Sequence, residues 1–250
     1  FNFPALVPMW MWPVAIACGN TFILKPSEKV PLTMQRVIGL LEKAGLPPGV
    51  MNIVHGGREC VDALLEHPDV KAISFVGSTP VAREIHRKGT SNGKRVQAAG
   101  GAKNFIILMP DADIDRTIEA VKDGAFGCAG ERCMAGSTAV AVGEAAERLL
   151  PPLADLVSSM KIGPTDMLSS QPDMGAVISS EHRERVAGLI DQGEAAGAKV
   201  LTDGRMSKVS EAPEGFYLGP TLIDEVAPNN PLMNTEVFGP VLAVMRAKTL

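Results

Sequence analysis

The sequence predicts an α/β protein, with a doubly wound parallel sheet in its first part and a second α/β domain behind it. Three observations carry that expectation. Short β-rich runs alternate with helical segments from residue 21 to 98, and alternation of this size implies a parallel sheet. The rhythm breaks at Ala98-Ala-Gly-Gly-Ala-Lys-Asn104. Beyond it come a separate helix, a glycine-flanked cysteine loop and a β-rich tail.

Taken in order, Phe3 to Ala17 is apolar but carries Pro4, Pro8 and Pro13, so it cannot form one uninterrupted spanning helix. Strands are expected at Thr21–Leu24, Val50–Val54, Ala72–Val76 and Arg95–Gln97. Between the first two, Met34, Val37, Ile38 and Leu41 fall at helical spacing, and Gly45 sits where a C-terminal cap belongs. The break places a domain boundary between 1–98 and 99–250. Asp111 to Asp123 reads as a helix with acidic residues in its first turn and Ile114, Ile118, Val121 and Ala125 on one face. Asp203 to Glu214 reads as a polar surface loop. In a doubly wound sheet ligands bind at the carboxyl ends of the strands, which makes the loops there the candidate site.

Composition excludes several classes of function. The net charge of −4 comes without a basic run, and aromatic residues make up 4% of the chain, which argues against nucleic acid. Cys18, Cys60, Cys128 and Cys133 are irregularly spaced, forming neither a disulfide framework nor a zinc quartet. That usage suits a reducing compartment, cytoplasmic or, in a eukaryotic cell, the mitochondrial matrix. No metal site and no membrane partner are expected. The chain opens without a methionine and stops after an apolar, strand-like run, so it reads as a fragment with exposed apolar edges.

Within Phe126-Gly-Cys-Ala-Gly-Glu-Arg-Cys-Met-Ala-Gly-Ser137, Cys133 is the candidate nucleophile. The thiolate is the attacking form, and the adjacent Arg132 favours it. The plain alternative is a small buried cysteine. His55, His67, His86 and His182 read as solvated or loop residues, and the sequence reveals no pairing with the cysteine on which a Cys-His dyad could be argued.

Five ordered stretches resemble the aldehyde dehydrogenase superfamily: Phe1-Asn-Phe-Pro4, Leu24-Lys-Pro-Ser-Glu28, Phe75-Val-Gly-Ser-Thr79, the cysteine loop, and Glu236-Val-Phe-Gly-Pro240. The resemblance spans the chain. It implies an aldehyde dehydrogenase-like fold, with 1–98 an NAD-binding domain short of its N-terminal part. Residues 99–250 become a catalytic domain short of its C-terminal and oligomerisation segments, and the whole enzyme a homodimer or homotetramer.

The resemblance also implies roles. Cys133 adds to the aldehyde, while Asn2, otherwise an ordinary turn residue, and the Cys133 backbone N–H stabilise the oxyanion. Lys25 and Glu28, otherwise a solvated surface pair, grip the adenosine ribose of the cofactor. A carboxylate there accepts from a 2′-hydroxyl and repels a 2′-phosphate, favouring NAD over NADP, though the neighbouring Lys29 pulls the other way. Gly77 and Ser78 offer a strand-to-helix turn for the pyrophosphate, or simply a helix cap. Gly100, Glu236, Phe238 and a backbone contact from Phe1 complete the cofactor set.

Hydrolytic members carry a glutamate in Glu-Leu-Gly-Gly, which activates water on the cysteine thioester; here the stretch is Ala98-Ala-Gly-Gly101. Without that base water is a poor nucleophile, whereas a thiol, with a pKa of about 8.5, is a good one. Coenzyme A is the expected co-substrate. Val96–Asn104, Met109–Asp113 and Gly130–Ala135 are similar to the CoA-acylating, methylmalonate-semialdehyde dehydrogenase branch. In that branch the arginine beside the nucleophile pairs with the substrate carboxylate, which implies that role for Arg132; a purely structural or thiol-tuning role is the alternative. Glu131 is a weaker candidate for the base. The implied reaction turns methylmalonate or malonate semialdehyde into propionyl-CoA or acetyl-CoA with loss of CO2. A hydrolytic aldehyde dehydrogenase, or a catalytically incomplete nucleotide-binding fragment, is the competing reading.

Overall fold

A computed structural model describes residues 1–166 and 171–250. The chain divides into two compact units, Phe1–Gly101 and Ala102–Leu250.

The proline-bearing opening of the first unit forms two short helices, α1 (Leu6–Met9) and α2 (Trp12–Ala17). Among the described residues no helix is long and apolar enough to cross a membrane. Strands β1 (Phe22–Leu24) and β2 (Met51–Ile53) pair in parallel around helix α3 (Leu32–Lys43). Met34 and Ile38, one turn apart on α3, are buried with Leu24 and Met51, and Trp12, Ile16, Val37 and Leu41 pack around them. The helix stops at Gly45, whose φ of +90° suits glycine. The Gly45 amide reaches the Glu42 carbonyl and the Leu46 amide that of Leu41, closing a Schellman cap.

Helix α4 (Arg58–Glu66) leads to β3 (Ala72–Val76), α5 (Thr79–Ser91) and β4 (Arg95–Ala99). β3 and β4 are parallel, a second pair separate from the first. α5 lies close to its sheet because Gly89 has no side chain; a Cβ there would stand 2.6 Å from Val96 Cγ2. The strand expected to end at Gln97 runs on through Ala98 and Ala99, which lie opposite Phe75 and Val76. Ladder partners extend it where composition gave no β signal.

The second unit holds β5 (Phe105–Leu108), α6 (Ile114–Phe126), β6 (Thr138–Val142), α7 (Ala145–Ser159), α8 (Ser180–Ala195), β7 (Lys199–Thr202), β8 (Thr221–Asp224), α9 (Pro231–Asn234) and β9 (Val241–Ala247). Its sheet runs β5-β6-β9-β8-β7, parallel except for the antiparallel β7 at one edge. The central strands are near-continuous apolar runs, as burial on both faces demands: Val241, Leu242, Ala243 and Val244 are all buried. At the other edge β5 exposes Phe105 and Ile107.

Helix α6 begins three residues later than the sequence suggests. The chain turns at Met109–Ala112, and the Asp113 side chain accepts from the Arg116 amide, so Asp113 caps the helix. Its apolar face is the expected one, extended by Phe126, which is wholly buried at a gain of roughly 1.5–3 kcal/mol. Residues 203–214 contain no helix or strand, yet Val209 is tucked in and buried.

Candidate active site

α6 delivers the chain to a turn at Gly127–Gly130 with unusual backbone geometry. Cys128, Ala129 and Gly130 are successively left-handed, at φ of 53°, 55° and 69°. For the two non-glycines this costs about 1–2 kcal/mol each, so tertiary contacts must hold the turn in place. Gly130 lies against the carbonyl of Gly239, where a Cβ would overlap the oxygen. Further on, the Gly136 amide donates to the Gly124 carbonyl. The Asn104 amide donates to the carbonyls of Cys133 at 2.9 Å and Ala135 at 3.2 Å. Cys133 is half-buried in this loop.

Its neighbours are occupied differently. Arg132 lies over Gly127, and its Nη1 donates to the Asp123 carbonyl at 3.2 Å. Its Nε is buried with no hydrogen-bond partner among the described residues. Glu131 is buried, its Oε1 accepting from the Ile178 amide at 3.2 Å. Lys103 donates to Ser137 Oγ at 3.2 Å. Burial lowers its pKa to about 8, while Glu236 pulls it back up.

Glu236 and Phe238 occupy the turn ahead of β9. The Glu236 carboxylate accepts from the Ala102 amide at 3.1 Å, and Phe238 is left-handed at φ 54°. His182 Nε2 lies 2.6 Å from the Phe238 carbonyl, which can only accept, so Nε2 carries the proton. The same nitrogen is 3.4 Å from Glu131 Oε1. His182 therefore departs from the solvated or loop placement its sequence suggested. It sits in α8, its side chain 16% exposed, linking the cysteine loop to the Glu236–Phe238 turn. His55 and His67 do lie exposed in loops, and His86 is exposed on α5.

In the first unit Lys25 is fixed by the carbonyls of Pro26 and Gly56 and by Glu28 at 3.2 Å. The Glu28 carboxyl is held below its ordinary range, first by a backbone hydrogen bond, then by Lys25. Lys29 is exposed, its amide donating to Ser27 Oγ. Gly77 and Ser78 link β3 to α5, but the Gly77 amide is engaged by the Ala99 carbonyl. Ser78 is the N-cap of α5 without a side-chain cap bond, which leaves the helix start suited to an anion. Gly100 passes close to it, since a Cβ there would stand 3.2 Å from Thr79 Cα. The Gly101 amide donates to Thr79 Oγ1. Asn2 and Phe1 lie in the irregular segment before α1, Asn2 half-buried and Phe1 exposed. Asn104 and Lys103 were not singled out by sequence reasoning, and His182 was read there only as a solvated or loop residue.

A mostly parallel α/β chain with a cysteine on a glycine-rich loop behind a left-handed turn, and a glycine-flanked strand-to-helix turn, defines an α/β class of thiol-bearing proteins. Within it, the chain belongs to the aldehyde dehydrogenase family, whose model matches residues 1–250. It is 51% identical, over 251 aligned positions, to a malonate-semialdehyde dehydrogenase of Pseudomonas aeruginosa, covering 100% of this chain and 50% of that protein. It is 46% identical to the rat mitochondrial methylmalonate-semialdehyde/malonate-semialdehyde dehydrogenase [acylating], covering 100% and 46% respectively. A crystal structure of methylmalonate-semialdehyde dehydrogenase from Oceanimonas doudoroffii superposes with a TM-score of 0.96 at 50% identity, covering 100% of this chain and 51% of that one. A structure from Sinorhizobium meliloti 1021, described as a candidate methylmalonate-semialdehyde dehydrogenase complexed with NAD, also gives 0.96, at 49% identity and 99% and 50% coverage. The chain spans about half the length of the curated relatives it matches.

Proposed function

We propose that the protein carries out NAD-dependent, CoA-acylating oxidation of malonate or methylmalonate semialdehyde. The observation that carries the reading is Ala98. It lies in β4 opposite Phe75, where hydrolytic members of the family hold their general base, and a methyl group cannot activate water.

Cys133 attacks as the thiolate, its Sγ forming a bond to the aldehyde carbon while the carbonyl oxygen becomes an oxyanion. The Asn2 side chain and the Cys133 backbone N–H are assigned to that charge. NAD, when bound, supplies the acceptor for the hydride that leaves this carbon, and a thioester remains on Cys133. Lys25 and Glu28 are assigned to the adenosine ribose, the α5 start with Gly77, Ser78 and Gly100 to the pyrophosphate, and Glu236 and Phe238 to the nicotinamide ribose, with Phe1 adding a backbone contact. Lys29 borders the adenosine site.

The substrate carboxylate lies β to the thioester carbonyl, so CO2 loss leaves a thioester-stabilised enolate that takes up a proton. Arg132 has no ion-pair partner among the described residues, which supports its assignment to that carboxylate. The CoA thiolate then attacks the thioester and Cys133 departs as thiolate, giving acetyl-CoA or propionyl-CoA. A cytoplasmic homo-oligomer, dimer or tetramer, is part of the same reading.

The test measures NADH formation from malonate semialdehyde, with and without CoA, in protein of full family length carrying these residues. Strict CoA dependence, abolished by Cys133→Ala, is expected. Sustained turnover without CoA would sink the acylating reading.

A further inference from the structure

Three consecutive carbonyls of the Glu236–Phe238 turn are held by two side chains of α8. The Arg185 guanidinium donates through Nη2 to the Glu236 carbonyl and through Nη1 to that of Val237, both at 2.7 Å. His182, three residues earlier and so on the same helix face, donates from Nε2 to the Phe238 carbonyl at 2.6 Å. The start of α8 is itself fixed, because Ser179 Oγ accepts from the His182 amide. Packing adds to the grip: Gly239 lies so close to Val186 that a Cβ would stand 2.8 Å from its Cγ2.

Nothing in the local sequence requires this turn to take its shape. Phe238 is a non-glycine residue at φ 54°, a conformation that persists only where its surroundings over-determine it. Arg185 is a good tool for that, since its planar fork reaches two neighbouring acceptors with little further loss of side-chain freedom. The consequence reaches the Glu236 carboxylate, whose direction is set by a backbone pinned at the Glu236, Val237 and Phe238 carbonyls and by the Ala102 amide on the side chain.

We infer that Arg185 and His182 are positioning residues that aim Glu236 and Phe238 at the nicotinamide end of the cofactor. The inference rests on the reading of Glu236 and Phe238 as cofactor contacts. Both α8 residues are assigned to act through the turn, whose carbonyls they hold.

A double-mutant cycle on protein of full family length tests it, with Arg185→Met, Glu236→Gln and the pair together. Single-turnover NADH formation, NAD affinity by fluorescence titration and iodoacetamide alkylation of Cys133 without cofactor are measured for each. A misaimed ring slows hydride transfer, so Arg185→Met should lower the single-turnover rate by about a hundredfold. NAD affinity should stay within about threefold, because Lys25 and Glu28 are untouched, and the alkylation rate should match wild type. If Arg185 acts through Glu236, the double variant falls no further than the worse single one. Arg185→Lys keeps one donor and should recover about tenfold of the loss; it also carries the cycle if the methionine variant does not fold.

Multiplicative losses in the double variant, or an Arg185→Met rate within about twofold of wild type beside an impaired Glu236→Gln, overturn the inference alone. A Glu236→Gln rate equal to wild type overturns the cofactor reading of Glu236 and the inference with it.

Discussion

The side-chain amide of Asn104 donates a 2.9 Å hydrogen bond to the backbone carbonyl of Cys133. The backbone of Cys133 is thereby tied to the residue just before β5, the edge strand of the five-stranded sheet. Asn104 also reaches the Ala135 carbonyl, so one amide spans both sides of Met134, which is 85% exposed.

Asn104→Ala should therefore loosen the loop. Leaving partly buried carbonyls without their donor costs about 1–3 kcal/mol, and each kcal/mol lowers Tm by about 2–4 °C in a domain of 150–250 residues. Asn104→Asp should be worse, since a carboxylate would face two carbonyl oxygens. Thermal unfolding and the rate of Cys133 alkylation check both. A milder effect for Asp than for Ala would show that the amide is not the donor.

What the sequence made legible follows from the range of the interactions involved. Helix α3 was readable because its period, from Met34 to Leu41, and its Gly45 stop are local. The Cys133 loop stood out for the same reason, since its glycines surround the cysteine within a dozen residues. The last two residues of β4 were missed because the partners that extend the strand, Phe75 and Val76, lie more than twenty residues away. His182 was misplaced because its contacts, Glu131 and the Phe238 carbonyl, are each about fifty residues distant. The onset of α6 was misread because Asp111 and Asp113 look alike in composition, and only the side-chain bond to Arg116 marks Asp113 as the cap.

Lys103 gives a pH prediction. Burial lowers its pKa from the ordinary 10.5 to about 8. Between those values the unfolded chain binds more protons than the folded one, so this group makes stability rise with pH through that window. Below pH 8 the full cost of burying the cation is present. Lys103→Met, which lacks the charge, should be more stable than wild type at pH 7, and the difference should shrink between pH 8 and 10 in denaturant titrations. Competitive acetylation should place the midpoint of Lys103 near 8. Because Glu236 raises this value, Glu236→Gln should move the midpoint lower still; an upward move would contradict the assigned cause.

Under the acylating reading proposed above, Ala98 permits the most direct chemical test of how a thioester on Cys133 would be resolved. Its side chain is half-buried at the end of β4, opposite Phe75, so a longer side chain starts from a fixed strand position. Ala98→Glu restores a carboxylate where hydrolytic relatives of the family hold theirs, and a positioned general base contributes roughly 10²–10⁴-fold to such a step. NADH formation without CoA should rise accordingly, with the free acid as product, while the yield of acyl-CoA falls because water now competes for the same thioester. Ala98→Gln is the control, matching glutamate in size but unable to accept the proton. If both variants gained equal CoA-free turnover, the added volume rather than the base would be responsible, and the acylating reading would lose the support it draws from Ala98.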